Sequence, residues 1–188
     1  ARLAVVKYVK TNIVNDVSEA IQMLCDNHIS KFLGPKAICD SNDFRKDRLY
    51  NPHVDKIYRD HLPRLLSIFE HFSSPKGTGQ LRMYMSEWGQ FVTKAGLIAD
   101  DFEEIEAKLA YSWSQMAHSS EVNNRTHYLS LSFEDFLEGI GRICDLKALP
   151  TTAELRVAGT KNTGLFFQKL EEEGSLPDFY ESHPNEWN

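Results

Sequence analysis

Cys25 and His28 stand three residues apart, one turn of a helix, and could offer a thiolate and an imidazole to zinc if Cys39 joined them. No second Cys/His pair at ligand spacing accompanies them, so Cys25 reads as a small core residue and no metal is expected. His53, His61 and His71 spread along one helical stretch with no nucleophile beside them, which assigns them to surface or cap positions. Gly139-Ile140-Gly141 lies inside a helical pattern rather than after a strand, so it cannot act as a dinucleotide fingerprint. A nucleophile elbow and a phosphate loop are both missing from the sequence. The chemistry-bearing residues thus predict neither a catalytic set nor a cofactor site. One unusual cluster is left: Phe179, Tyr180 and Trp187 fall in the last fourteen residues together with Pro177 and Pro184, with no amphipathic period. Aromatics at that density are favoured interface anchors, so these three are the candidate partner-binding residues. The alternative is a strap that packs back across the domain and closes a groove there.

Charge narrows the partners further. The chain carries a net charge of −6, spread unevenly: residues 1–60 hold 10 Lys/Arg against 8 Asp/Glu, and residues 61–188 hold 11 against 19. The one basic cluster, Arg45-Lys46-Asp47-Arg48, reads as a solvated helix face rather than a phosphate-tracking stripe, so nucleic acid is not an expected partner. The acidic remainder argues against anionic membrane surfaces, and no long apolar run is present to cross a bilayer. At 188 residues, 41% hydrophobic and 26% charged, the chain can bury about 70% of its unfolded surface and needs no covalent staples. Three scattered cysteines favour a reducing compartment. The segment Arg2 to Lys10 is broken by lysines before a signal-peptide core can form, and Ala1 in place of Met raises the expectation of a piece cut from a longer chain.

The elements that must position these residues read as helices. Val17, Ala20, Ile21, Leu24, His28 and Phe32 keep helical spacing from Asn15 to Gly34-Pro35. Asn51-Pro52 starts a second helix carrying Val54, Ile57, Tyr58, His61, Leu65, Ile68, Phe69 and Phe72, with Pro63 predicting a kink or a break near Leu62. A turn-rich stretch, Ser73 to Gly79, leads to a third helix with Met85, Trp88, Phe91, Val92 and Ala95, closed by Gly96. Asp100 and Glu103 stand in capping-box spacing before a fourth, whose apolar face would be Phe102, Ile105, Leu109, Trp113 and Met116. A polar loop from His118 to His127 precedes a fifth, starting near Ser132 and burying Phe133, Phe136, Leu137, Ile140 and Ile143. Two short helices follow, one from the Thr151/Glu154 capping box to Gly159 and one from about Thr163 to Gly174.

Leu81 to Val92 and Leu129 to Ile140 match when superposed 48 residues apart: apolar, polar, apolar, then a carboxylate directly before an aromatic. Each follows a helix ending in large apolar residues three apart, Phe69/Phe72 and Trp113/Met116. This helix, loop, extended stretch and helix, repeated over residues 54–146, resembles a pair of EF-hands. It is similar to the degenerate, calcium-independent helix-loop-helix pairs of ciliary and cytoskeletal proteins. Counting back from Glu87 as the last loop position puts Lys76, Thr78, Gln80 and Leu81 where the family has its oxygen ligands and glycine. Counting back from Asp135 gives Asn124, Thr126, Tyr128 and Leu129. Neither loop has the negative charge that calcium requires. The resemblance also implies backbone pairing of Met83 with Leu131, a shared core of Phe69, Phe72, Trp88, Trp113, Phe133 and Phe136, and Glu87 and Asp135 acting as helix N-terminal carboxylates.

The expectation is an all-α single domain over residues 1–188. It comprises an N-terminal helical extension (1–50), whose helix near residues 15–33 covers one open face, an EF-hand-like pair (51–146), and C-terminal short helices with an arm (147–188). The expected function is calcium-independent protein binding or scaffolding in a larger intracellular assembly, with cilium and cytoskeleton as the candidate locations. The expected partner is an amphipathic helix or a cytoskeletal component. An atypical calcium-responsive sensor and an unrecognised enzyme are the alternatives.

Overall fold

Asp16 stops the chain from continuing in an extended path by accepting hydrogen bonds from the amides of Ser18 (2.8 Å) and Glu19 (3.1 Å), which nucleates α1 (Val17–Leu24). Those amide donors, Glu19 foremost, hold its carboxyl below the usual range. The computed structural model describes residues 2–31, 40–76, 79–116 and 128–184. They fall into two compact units, Ala1–Asp43 and Phe44–Asn188, where the sequence reading sets out one domain.

In the first unit a helical turn, Arg2–Ala4, runs into a π-helical turn, Val5–Val9, and α1 continues into a second one, Cys25–Ile29. Asn12 links them at φ +56°, a left-handed conformation that asparagine tolerates better than most residues. Ala4, Tyr8, Val14 and Ala20 form the small core, flanked by Val9, Met23 and Leu24. Lys7 Nζ lies 2.6 Å from His28 Nε2. The expected apolar face is rotated: Val17 and Ile21 are exposed, and Ala20, Met23 and Leu24 face inward, because small Ala20 lets the two helical segments approach. Phe32 lies outside the described residues.

The second unit begins with Phe44 and the π-helical turn Arg45–Leu49, so residues expected in the N-terminal extension belong here. Asn51 caps α2 (Pro52–Phe72) through the amides of His53 and Val54, with Pro52 at the first position. The helix is unbroken at Pro63. Pro63 and Arg59, whose carbonyl it leaves without an amide partner, are both exposed, so water can replace the lost hydrogen bond. The Ser73 to Gly79 stretch also departs from the turn-rich expectation. It contains β1 (Ser74–Lys76), which pairs antiparallel with β2 (Gln80–Tyr84), and Pro75 is tolerated because β1 is an edge strand.

α3 (Met85–Lys94) buries Trp88, Phe91 and Val92. α4 (Glu104–Ser114) starts one turn later than Asp100 implies, with Glu106 capping the amide of Glu103. Its buried side is Ala107, Ala110, Tyr111 and Ser114, while Ile105 and Leu109 are exposed. The reason is a seam of small residues: Ala110, Ser114 and Gly139 allow α4 to lie close against α5 (Phe133–Leu146). At Gly139 a Cβ would fall 2.7 Å from Trp88 Cη2. β3 (Ser130–Leu131) pairs antiparallel with β2. The result is mostly helical with one small sheet of order β1-β2-β3. Its core is Phe69, Met83, Trp88, Phe91, Val92, Phe102, Tyr111, Leu131, Phe136 and Ile143 with their neighbours.

Beyond α5, the Thr151/Glu154 box caps α6 (Thr152–Ala158), and α7 (Thr163–Glu173) follows. Gly159 and Gly174 end them at φ +70° and +69°. The arm then turns once more as α8 (Leu176–Ser182), where no helix was expected; Pro177 sits in the first turn, where it costs nothing.

Candidate interaction groove

Glu138 lies within the α5 stretch that carries Phe136, Gly139 and Ile143, and it is 4% exposed. Burying a carboxylate requires matched partners, and it has two: Arg45 Nε at 2.8 Å from Oε2, and Arg142, one turn on, with Nη2 at 2.7 Å from Oε1. The Arg142 guanidinium also stacks on Phe44 at 4.4 Å, and Arg45 donates to the carbonyl of Trp113. Arg45 therefore does not belong to a solvated face; at 8% exposure it ties its turn to α5. The sequence signal that could have revealed this is the i,i+4 Glu138/Arg142 pair lying among apolar neighbours. Nearby, Arg48 meets Asp145 at 2.6 Å and the Tyr58 hydroxyl donates to the Leu137 carbonyl at 2.8 Å. Burial pushes the Tyr58 phenol well above its ordinary range.

These contacts hold the turn before α2 against the flank of α5, and an open groove of about 700 Å³ lies between them. Leu49, Tyr50, Pro52, Tyr58, Met116 and Leu137 give it an apolar character, with carboxylates from Asp55 and Glu134 also among its walls. Tyr50 is 64% exposed and Met116 53%. Large apolar groups open to water at the wall of a concavity are unusual enough to point to binding.

The carboxylates that a calcium loop would use are engaged elsewhere. Glu87 accepts from the Tyr84 amide at 2.8 Å and from the Ser74 hydroxyl, and Asp135 accepts from the Ser132 amide at 2.9 Å. Both are helix caps. Lys76 and Gln80, the expected first and fifth loop positions, are register partners of antiparallel β1 and β2. Thr78, Asn124 and Thr126 lie outside the described residues, as does Cys39. Among the described residues no group of three His, Cys, Asp or Glu side chains converges as a metal site. Met83 pairs with Leu131 across β2 and β3, and the Tyr111 hydroxyl ties this ribbon to α4 by donating to the Leu129 carbonyl at 2.8 Å. Of the expected aromatic core, Phe69, Trp88 and Phe136 are buried, and Phe72 and Phe133 pack against them; Trp113 instead faces Arg142 at 6.0 Å.

Phe179 and Tyr180 sit apart from the groove. Phe179 is 8% exposed, packed on Phe166 with ring centroids 5.2 Å apart and stacked on His183 at 4.1 Å. His183 Nε2 reaches Glu154 at 2.8 Å, tying α8 to α6. Tyr180 is half-buried beside Asp101 and Lys147, themselves paired at 2.6 Å, and burial followed by the neighbouring Asp101 charge pushes its phenol up to about 12. Trp187 lies outside the described residues. The strap thus closes over Ala148 and α7 rather than over a groove between the two repeats. Among the described residues no helix is long and apolar enough to cross a membrane. Comparison with protein-family models, with curated proteins and with solved structures finds no match.

Proposed function

We propose that this chain is a calcium-independent protein-protein interaction or scaffold domain, and that its groove between the Leu49–Tyr58 stretch and α5 receives an apolar segment of a partner protein. The observation that carries this reading is the groove itself: a 700 Å³ concavity with exposed Tyr50 and Met116 among its walls, flanked by the buried Glu138 carboxylate that pairs with Arg45 and Arg142. The engagement of Glu87 and Asp135 as helix caps supports independence from calcium. The degenerate EF-hand resemblance points to a ciliary or cytoskeletal assembly as the place to look for the partner. A direct test is co-sedimentation with a detergent-extracted cytoskeletal fraction in excess chelator. The parent should sediment, and Met116→Glu, which puts a charge into the groove without touching the core, should stay in the supernatant. Sedimentation that requires calcium, or that is unaffected by Met116→Glu, overturns the reading.

A further inference from the structure

Among the described residues Lys and Arg contribute no wall residue to the groove, whereas Asp55, Glu134, Asp135 and Glu138 all do. Three of these carboxylates already have partners. Asp135 holds the Ser132 amide, Glu138 lies between Arg45 and Arg142, and Asp55 meets Arg59 at 3.0 Å on the surface of α2. Glu134, exposed in the first turn of α5, has no ion pair among the described residues. An occupant that closes the groove takes water away from Glu134. A purely apolar or anionic segment would leave that carboxylate stripped and unmatched, and a cationic one would replace the lost solvation with a hydrogen-bonded pair. We infer that the groove selects a short segment of a partner protein in which two bulky apolar side chains stand next to a Lys or Arg. The apolar pair fills the space among Leu49, Tyr58, Met116 and Leu137, and the cation meets Glu134. This rests on the docking reading above and adds the sign of charge the partner must carry.

The test uses the whole chain, isotope-labelled, in chelator, with two capped synthetic octapeptides. Both contain adjacent Trp and Leu; lysines flank the pair in one and glutamates in the other. Amide shifts are followed through each titration. The lysine peptide is expected to bind at least tenfold more tightly, to move the amides of Tyr50, Met116, Glu134 and Leu137, and to lose part of its advantage as salt is raised. Glu134→Lys should reverse the order of the two peptides; if that variant is misfolded, Glu134→Gln should bring their affinities together. Equal binding of both peptides at the groove overturns the charge selectivity and leaves the docking reading standing. No shift at the groove with either peptide overturns both. A preference for lysine that survives Glu134→Lys and Glu134→Gln reports attraction to a chain of net charge −6 and also overturns the inference.

Discussion

Glu138 shows how much a single side chain can organise: two guanidiniums, two helical segments and one side of the groove depend on it. Glu138→Gln keeps its shape and an acceptor but leaves Arg45 and Arg142 buried without a carboxylate, so it should cost about 3 kcal/mol in urea unfolding. Glu134→Gln, four residues away on the exposed side, should fall within about 0.5 kcal/mol of the parent. A shift for Glu138→Gln no larger than that control would mean the cluster is not a matched network. Gly139 makes a different point. Alanine there gains about 1 kcal/mol of helix propensity, yet its Cβ would press on the Trp88 ring, so Gly139→Ala should destabilise by about 1–3 kcal/mol. Burial of Arg45 was the residue-level feature least visible in the sequence, because a basic tetrapeptide looks the same whether solvated or paired until its distant carboxylate is known.

Helix boundaries were legible at most caps written in local chemistry, although the Asp100/Glu103 spacing set the start of α4 one turn too early. Asn51-Pro52, Ser132/Asp135, Thr151/Glu154 and Gly174 all mark real ends. The faces of α1 and α4 were not legible, since hydrophobic size predicts burial only when the neighbouring helix leaves room for size. Where Ala20, Ala110 and Ser114 permit close approach, the larger residues beside them are turned outward. Phe136 lies at the point where α5 meets Phe69, Trp88 and Phe91, so Phe136→Ala should lose roughly 3–5 kcal/mol, measurable as an early thermal transition. Deleting residues 175–188 removes Phe179 from its contact with Phe166 and should lower the melting temperature by several degrees; an unchanged melt would show that α8 adds no stability. The α6 cap gives a pH signature. The Thr151 hydroxyl, then its amide, lowers the Glu154 pKa from its ordinary 4.5. A depressed carboxylate stabilises the cap above that ordinary value and loses its effect as pH falls through the lower one. The Thr151 amide resonance should therefore titrate with a midpoint below 4.5, and Thr151→Ala should move the Glu154 midpoint back upward.

For the molecule as a whole, the mostly helical class was readable from periodicity, and the backbone pairing of Met83 with Leu131 from what the resemblance implied. The β1-β2 hairpin and the groove were not, because both arise from segments that meet only after folding. Millimolar calcium should leave the melting temperature unchanged, whereas a site filled a hundredfold above its dissociation constant would add about 2.7 kcal/mol. A calcium-dependent rise would refute the proposed independence from the ion. The pairing of Met83 with Leu131 also bears on how the chain is made. At roughly 5–20 residues per second, a ribosome takes several seconds to travel from the first partner to the second. During that interval Trp88, Phe91 and Val92 have been synthesised, but Leu131, Phe136 and Ile143, which cover them, have not. The β2 edge is equally without its neighbour until β3 emerges, and an unpaired edge beside an apolar surface recruits other chains. Nascent chains stalled before residue 131 should bind holdase chaperones, and release should follow once α5 has cleared the exit tunnel.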